Sequence, residues 1–337
     1  MKKLYFALFL CLAIPVSAEP TNELLQKINA QVVRVQVAHA NGAFGVGSGV
    51  VVAKNQIVTN CHVIADANSI SVVSGGEAYA VSAIKADWRH DVCILKIEGL
   101  NAPIATMASS KNLKYEQPVF AVGYPDFSMS ACATYGFVKG LFAMDDSVII
   151  RATSTFRQGS SGGGLFDDAG NLVGITTLKS PGRNAYYYDL PVEWVQALLD
   201  RPEQAINAKG DLPFWAQAHE KWPYFMRVVQ PYITEDWPAL LSIAKAWTEQ
   251  EPNSTDAWFY LAAAEYATQD SGKAEAHLRK VVAMNSAHSQ AIYYLGLIAE
   301  KSGNRTEALT NVALLNNLDV AAAEQLKVAM GITSEPR

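Results

Sequence analysis

From residue 32 to about residue 191 the chain is a succession of short β-branched runs, cut apart by glycine, proline and asparagine. That texture restricts it to antiparallel sheet with tight turns. The runs fall at 32–37, 49–52, 57–59, 70–73, 92–97, 119–122, 148–151 and 172–177. This stretch of about 160 residues is too long for one small barrel, and 118–124 is a natural place for one to end and the next to begin. Two β-barrels side by side are expected.

Beyond Pro191 the texture changes. Residues 192–199 predict a short helix, 200–211 are polar and irregular, and the remainder carries Ala, Leu, Glu, Trp and Tyr at helical spacing. The domain boundary is expected between residues 200 and 230. Trp258, Leu261 and Ala262 recur as Ile292, Leu295 and Gly296 at an interval of 34, while Glu275-Ala276 recurs as Glu307-Ala308 at 32. This predicts a repeated helical hairpin whose internal turn is two residues shorter the second time. Upstream, Trp237, Leu240, Leu241, Ala244 and Trp247 form another apolar face, ended by Pro252. The spacing and the large-small alternation resemble tetratricopeptide repeats, two recognisable and one degenerate; an unrelated helical bundle is the alternative. So few repeats are near the minimum for a stable stack, so the module should lean on the β-rich half or on another subunit.

Lys2 and Lys3, the apolar stretch from Leu4 to Ile14, and Val16-Ser17-Ala18 read as a secretory signal over residues 1–18, which implies a periplasmic or secreted product. The apolar stretch is short of the ~20 residues that span a bilayer, and no other segment is apolar enough to do so. Cleavage would leave 25 basic against 32 acidic residues, a formal charge of −7, which does not suggest nucleic-acid binding. Three cysteines would remain, Cys61, Cys93 and Cys132, permitting one disulfide and one leftover thiol. The six histidines are scattered without ligand spacing, and no phosphate-binding glycine loop is present, so neither metal nor cofactor is expected.

The chemistry concentrates in three segments. Gly159-Ser160-Ser161-Gly162-Gly163 can thrust a serine hydroxyl from a tight loop, with the backbone N–H groups of Gly159 and Ser161 aimed where a carbonyl oxygen becomes negative. Ile57-Val58-Thr59-Asn60-Cys61-His62 brings an apolar strand up to a histidine. In Trp88-Arg89-His90-Asp91-Val92-Cys93-Ile94-Leu95 a carboxylate opens an apolar strand, a costly place for an unpaired charge, and His62 is its obvious partner.

The order His62, Asp91, Ser161, with gaps of 29 and 70, and the Gly45-Val46-Gly47-Ser48-Gly49-Val50-Val51 run before the histidine resemble the Deg/HtrA branch of the trypsin-like proteases. The resemblance extends over residues 32–199. It implies a catalytic triad in which Ser161 attacks the scissile carbonyl, His62 takes and returns the proton, and Asp91 holds the imidazole. Proteases activated by clipping carry an acidic residue just before the nucleophile; Ser160 stands there, so activation by cleavage is not expected. If the triad is right, the backbones carrying Cys61 and Cys93 run close together. A Cys61–Cys93 disulfide is then expected, leaving Cys132 as a packed, unreactive thiol.

Substrate side chains are expected between Thr155, Phe156 and Gln158, the strand carrying Thr176 and Thr177, and the segment carrying Tyr187. Ala185 and Tyr187 stand where relatives have small residues, which predicts a shallow pocket for small aliphatic side chains. Thr155 in place of a basal carboxylate argues against Lys or Arg specificity, although Asp189 lies nearby. The Trp215, Trp222, Tyr224, Phe225 and Trp237 cluster is expected to pack between domains.

The expected protein is therefore multidomain. An all-β, trypsin-like double barrel (19–200) is followed by a linker and interface segment (201–231) and an all-α tetratricopeptide-like repeat domain (232–337). The expected function is an exported serine endopeptidase acting on proteins or peptides through an acyl-enzyme, with the helical repeats docking a substrate or protein partner. The alternative is a catalytically silent scaffold on a protease fold.

Overall fold

The computed structural model describes residues 20–180 and 185–332. The expected signal, residues 1–18, lies outside the described residues. Helix α1 (Asn22–Asn29), capped by the Thr21 hydroxyl that accepts from Leu24 N–H at 3.2 Å, leads into the β-rich half.

The first sheet contains β1 (Val32–His39), β2 (Phe44–Ala53) and β3 (Gln56–Thr59). After a one-turn helix, α2 (Cys61–Ile64), come β4 (Ala67–Ser74), β5 (Glu77–Ala80), β6 (Ala83–Asp87) and β7 (Val92–Lys96). The seven strands pair in the order β5-β4-β1-β2-β3-β7-β6. A barrel is expected here, and its two edge strands, β5 and β6, are not hydrogen-bonded to each other. The two residues that join them bridge to the neighbouring strands instead: Val81 N–H bonds Ile70 O of β4 at 3.0 Å and Ser82 N–H bonds Lys96 O of β7 at 2.9 Å. Strand β5 is short and largely exposed, so little apolar surface is available to drive closure.

The second half does close. Strands β8 (Pro118–Gly123), β9 (Cys132–Met144), β10 (Ser147–Ala152), β11 (Gly164–Asp167), β12 (Leu172–Lys179) and β13 (Tyr187–Pro191) form a barrel in the order β10-β13-β12-β11-β8-β9. Strands β5, β6, β9, β11 and β13 have no counterpart among the expected runs, because glycine, tyrosine or polar residues interrupt their apolar pattern.

Helix α3 (Val192–Leu199) closes the β-rich half as expected. α-Helical structure resumes at α4 (Tyr224–Arg227) and α5 (Val229–Ile233), beginning inside the stretch expected to be a linker. Then follow α6 (Trp237–Gln250), α7 (Thr255–Ala267), α8 (Ser271–Met284), α9 (Ser289–Lys301), α10 (Arg305–Leu318) and α11 (Val320–Ala329), each packed on its predecessor. Every one is capped by a side chain at its N-terminus: Asp236, Ser254, Asp270, His288, Asn304 and Asp319. No helix among the described residues is long and apolar enough to cross a membrane.

The hairpins α7–α8 and α9–α10 repeat at a constant interval of 34, so the expected two-residue shortening of the second turn is wrong. Glu275 lies inside α8 and pairs with Arg279, whereas Glu307 sits in the first turn of α10, where its carboxylate accepts from the Asn304 amide at 2.9 Å. The two Glu-Ala pairs are therefore not equivalent positions.

One apolar core runs from the barrel into the helices. Phe142 of β9 stacks on Phe225 of α4 at 4.6 Å, and Tyr188 of β13 lies beside the same ring at 5.6 Å. Polar contacts reinforce this seam: Arg151 reaches Tyr260 at 2.7 Å, and Lys139 pairs with Glu116 and with Asp319.

Candidate active site

Strand β3 pairs with β7, setting Thr59 opposite Cys93. The next residue, Asn60, is buried, and its side-chain amide donates to Asp91 O at 3.0 Å and to Thr177 Oγ1 at 2.9 Å, tying the first sheet to the barrel. Cys61 and Cys93 form a disulfide with Cα atoms 5.0 Å apart, which locks the start of α2 onto β7.

These constraints bring His62 and Asp91 together. The Asp91 side chain is fully buried and its backbone takes the left-handed conformation at φ 60°, which aspartate tolerates better than most residues. His62 backbone N–H donates to Asp91 Oδ1 at 2.8 Å, and His62 Nδ1 lies 2.6 Å from Oδ2. A buried carboxylate held by two bonds to one residue fixes both the position and the tautomer of that imidazole.

The third segment lies between β10 and β11. Ser48 of β2 staples it: Ser48 N–H donates to Ser161 O and Ser48 Oγ to Gly159 O, both at 2.8 Å, and Ser48 Oγ accepts from Tyr124 N–H at 2.8 Å. The loop closes through Ser160 N–H to Arg157 O at 3.0 Å and Gly163 N–H to Ser160 O at 2.9 Å. Glycine is required at two points: Gly159 and Gly162 have φ of 92° and 86°, and a Cβ there would lie 2.5 Å from Tyr124 O and 2.2 Å from Ser48 O.

Among the described residues, neither Gly159 N–H nor Ser161 N–H donates a hydrogen bond to the protein. Ser161 Oγ donates to Thr177 O at 3.4 Å. His62, Ser161, Gly159 and Gln158 line one open cleft of about 430 Å³. The role of Ser48 is invisible in the sequence, where it is one more small residue in a glycine-rich strand.

The residues expected to form a substrate pocket lie around the serine loop but do not line a single cavity. Thr155, Phe156 and Thr176 line a cavity of about 110 Å³ behind the serine loop, Gln158 belongs to the cleft, and Thr177 is committed to Asn60. Tyr187 meets Phe156 edge to face at 5.0 Å, closing the space between them. Asp189 is fully buried, and neither carboxylate oxygen has a hydrogen-bond partner among the described residues. Burial raises its pKa well above the usual carboxylate range.

Two further expectations are corrected. Cys132 is exposed rather than packed, because it opens β9 at the barrel rim. Trp215 does more than pack between domains: its indole N–H donates to Asp91 Oδ2 at 3.1 Å, and its ring meets the His62 imidazole edge-on, centroids 5.4 Å apart. His90 turns away from His62 and bonds Asp87 at 2.9 Å and Asp145 at 3.0 Å.

Residues 47–175 match the trypsin-like peptidase domain model. The chain is 33% identical over 160 residues to a probable periplasmic serine endoprotease, DegP-like, from Pseudomonas putida (strain GB-1), covering 45% of this chain and 33% of that protein. It is 36% identical over 168 residues to a protein of the same description from Pseudomonas fulva (strain 12-X), covering 47% of this chain and 35% of that one. The chain thus spans about a third of the length of these curated relatives. Among solved structures, the active form of the Rv3671c protease from M. tuberculosis superposes with a TM-score of 0.50 at 22% identity, over 58% of this chain and 91% of that one, a likeness of fold.

Proposed function

Because the chain carries a trypsin-like peptidase domain related to the Deg/HtrA serine endoproteases, we propose that it is an exported serine endopeptidase using His62, Asp91 and Ser161. The observation that carries this reading is the buried Asp91 carboxylate 2.6 Å from His62 Nδ1, with His62 and Ser161 on one open cleft. In that arrangement Ser161 Oγ attacks the substrate carbonyl carbon while His62 Nε2 accepts its proton. Asp91 stabilises the imidazolium that results, and the N–H groups of Gly159 and Ser161 receive the oxyanion. Collapse of the tetrahedral intermediate breaks the C–N bond, the proton passes from His62 to the leaving amine, and water then hydrolyses the acyl-enzyme with His62 as base. The relatives' description as periplasmic supports export.

Phe156 and Tyr187, ring against ring, support a pocket that admits small aliphatic side chains only. Asp189 lines neither the cleft nor the cavity behind the serine loop, which supports the absence of Lys or Arg specificity.

The 34-residue interval and the capped, successively packed hairpins support a tetratricopeptide-like module. Such a stack docks peptides in a groove, and docking of a substrate or partner remains one role for it. The bonds from Asp256, Tyr260, Ser289 and Asp319 to the β-rich half favour a second role, in which the stack braces the barrel.

A fluorophosphonate probe on the purified protein tests the enzymatic reading. Labelling of Ser161 that Ser161→Ala and His62→Ala both abolish supports it; a folded protein that never labels favours the silent scaffold.

A further inference from the structure

We infer that Trp215, contributed by the segment joining the β-rich half to the helices, is a positioning residue of the His62–Asp91 pair and makes catalytic competence depend on that segment. This inference rests on the endopeptidase reading above.

Asp91 is fully buried and accepts three hydrogen bonds at its carboxylate. Two come from His62, one to each oxygen; the third is the Trp215 indole N–H, on the same Oδ2 that holds His62 Nδ1. An ionised carboxylate removed from water needs donors, and a charge-assisted bond is the stronger kind. The Thr177 hydroxyl, linked to Asp91 O through the Asn60 amide, does not supply one. Thr177 Oγ1 accepts from Asn60 and donates to Ile175 O at 2.9 Å, so it is occupied.

The indole also bears on the imidazole. Its ring lies at 89° to that of His62, an edge contact that limits rotation of the imidazole away from Asp91. One side chain thus restrains both members of the pair, and it lies 40 residues beyond the end of the matched peptidase region.

The segment is anchored so that Trp215 is held there. Gln204 exchanges backbone bonds with Ile84 on β6, at 2.6 and 3.0 Å. Gly210 lies against Trp88, leaving no room for a Cβ, and Phe214 N–H donates to Arg89 O at 3.0 Å, two residues before Asp91. On the far side, Trp222 Nε1 donates to Gln217 O at 2.8 Å, and Phe225 stacks on Phe142. The chain is therefore tied down on both sides of Trp215 on its way from the aspartate loop to the helices.

The test compares full-length wild type, Trp215→Phe, and a variant with 3-benzothienylalanine at position 215, in which sulfur replaces the N–H at nearly constant shape. Expected are a ~10-fold fall in kcat for peptide hydrolysis in both, with KM within ~2-fold, a single cooperative melting transition in the isosteric variant, and a shifted His62 Nδ1–H proton resonance. If Trp215→Phe disturbs folding, the isosteric variant decides alone. Unchanged kcat in a folded isosteric variant overturns the inference. Should wild type show no activity, the endopeptidase reading fails separately. The positioning contact is then judged by whether Asp91→Asn moves the Trp215 indole N–H resonance; an unmoved resonance overturns it.

Discussion

Arg151, on barrel strand β10, donates to the hydroxyl of Tyr260 on helix α7 at 2.7 Å, so the two halves of the chain are joined by a fully buried guanidinium. Its carboxylate neighbour Asp256 lies 4.0 Å away and accepts from the Tyr115 hydroxyl. Burial raises the Asp256 pKa, and Arg151 opposes that rise.

Removing the cation should therefore expose a buried, uncompensated carboxyl. Arg151→Met is expected to cost about 3–5 kcal/mol, and Tyr260→Phe about 1–3 kcal/mol, in chemical denaturation. A cost below about 1 kcal/mol for Arg151→Met would mean that the seam does not brace the protein.

Asp91→Asn keeps the shape of the carboxylate but presents an amide to His62 Nδ1, favouring the wrong tautomer. The expected result is a fall of about 10⁴-fold in kcat with KM little changed, read from steady-state peptide hydrolysis. Activity within ~10-fold of wild type would remove Asp91 from the mechanism.

The Cys61–Cys93 bridge closes a loop across a sequence separation of 32. Replacing both cysteines with alanine should lower stability by about 3–4 kcal/mol through the freedom restored to the unfolded chain. It should also lower activity, because the bridge holds the His62 turn against the aspartate strand. Thermal melts with and without reductant measure the first effect; an unchanged melt would make the bridge incidental.

His90 lies between Asp87 and Asp145 and stacks on Trp194 at 3.9 Å. Burial lowers its pKa, but the two carboxylates outweigh burial and raise it above the ordinary value. A raised folded-state pKa gives stability that is complete below the unfolded value of about 6.5 and is lost as pH rises through the folded one. Stability should accordingly decline above about pH 6.5, and His90→Gln should flatten that decline. Identical pH profiles for the two proteins would contradict this assignment.

The order of β-rich half and helical half was legible in the sequence because periodicity is a local property. Period-two runs and 3.6-residue faces are set by neighbours a few positions away. Strands such as β9, with Gly136 and Gly140, escaped because their registry comes from partner strands rather than from their own apolar content. The pairing of Cys61 with Cys93 and of His62 with Asp91 was readable for a different reason: the two cysteines lie 32 residues apart in the chain, and it was the order and spacing of the histidine, aspartate and serine segments, through the resemblance they carry, that placed β3 and β7 side by side. How the expected pocket residues divide between cavities was not, since it depends on which way Phe156 and Tyr187 turn.

The sequence by itself determined the sheet-then-helix order and brought an imidazole, a carboxylate and a serine loop within the reach of one fold. Only the tertiary structure decided what holds them. Ser48 meets Gly159 across 111 residues, Arg151 meets Tyr260 across 109, and Trp215 meets Asp91 across 124. Contacts at such separations carry no local signature, because they follow from how whole elements pack once each has buried its apolar face.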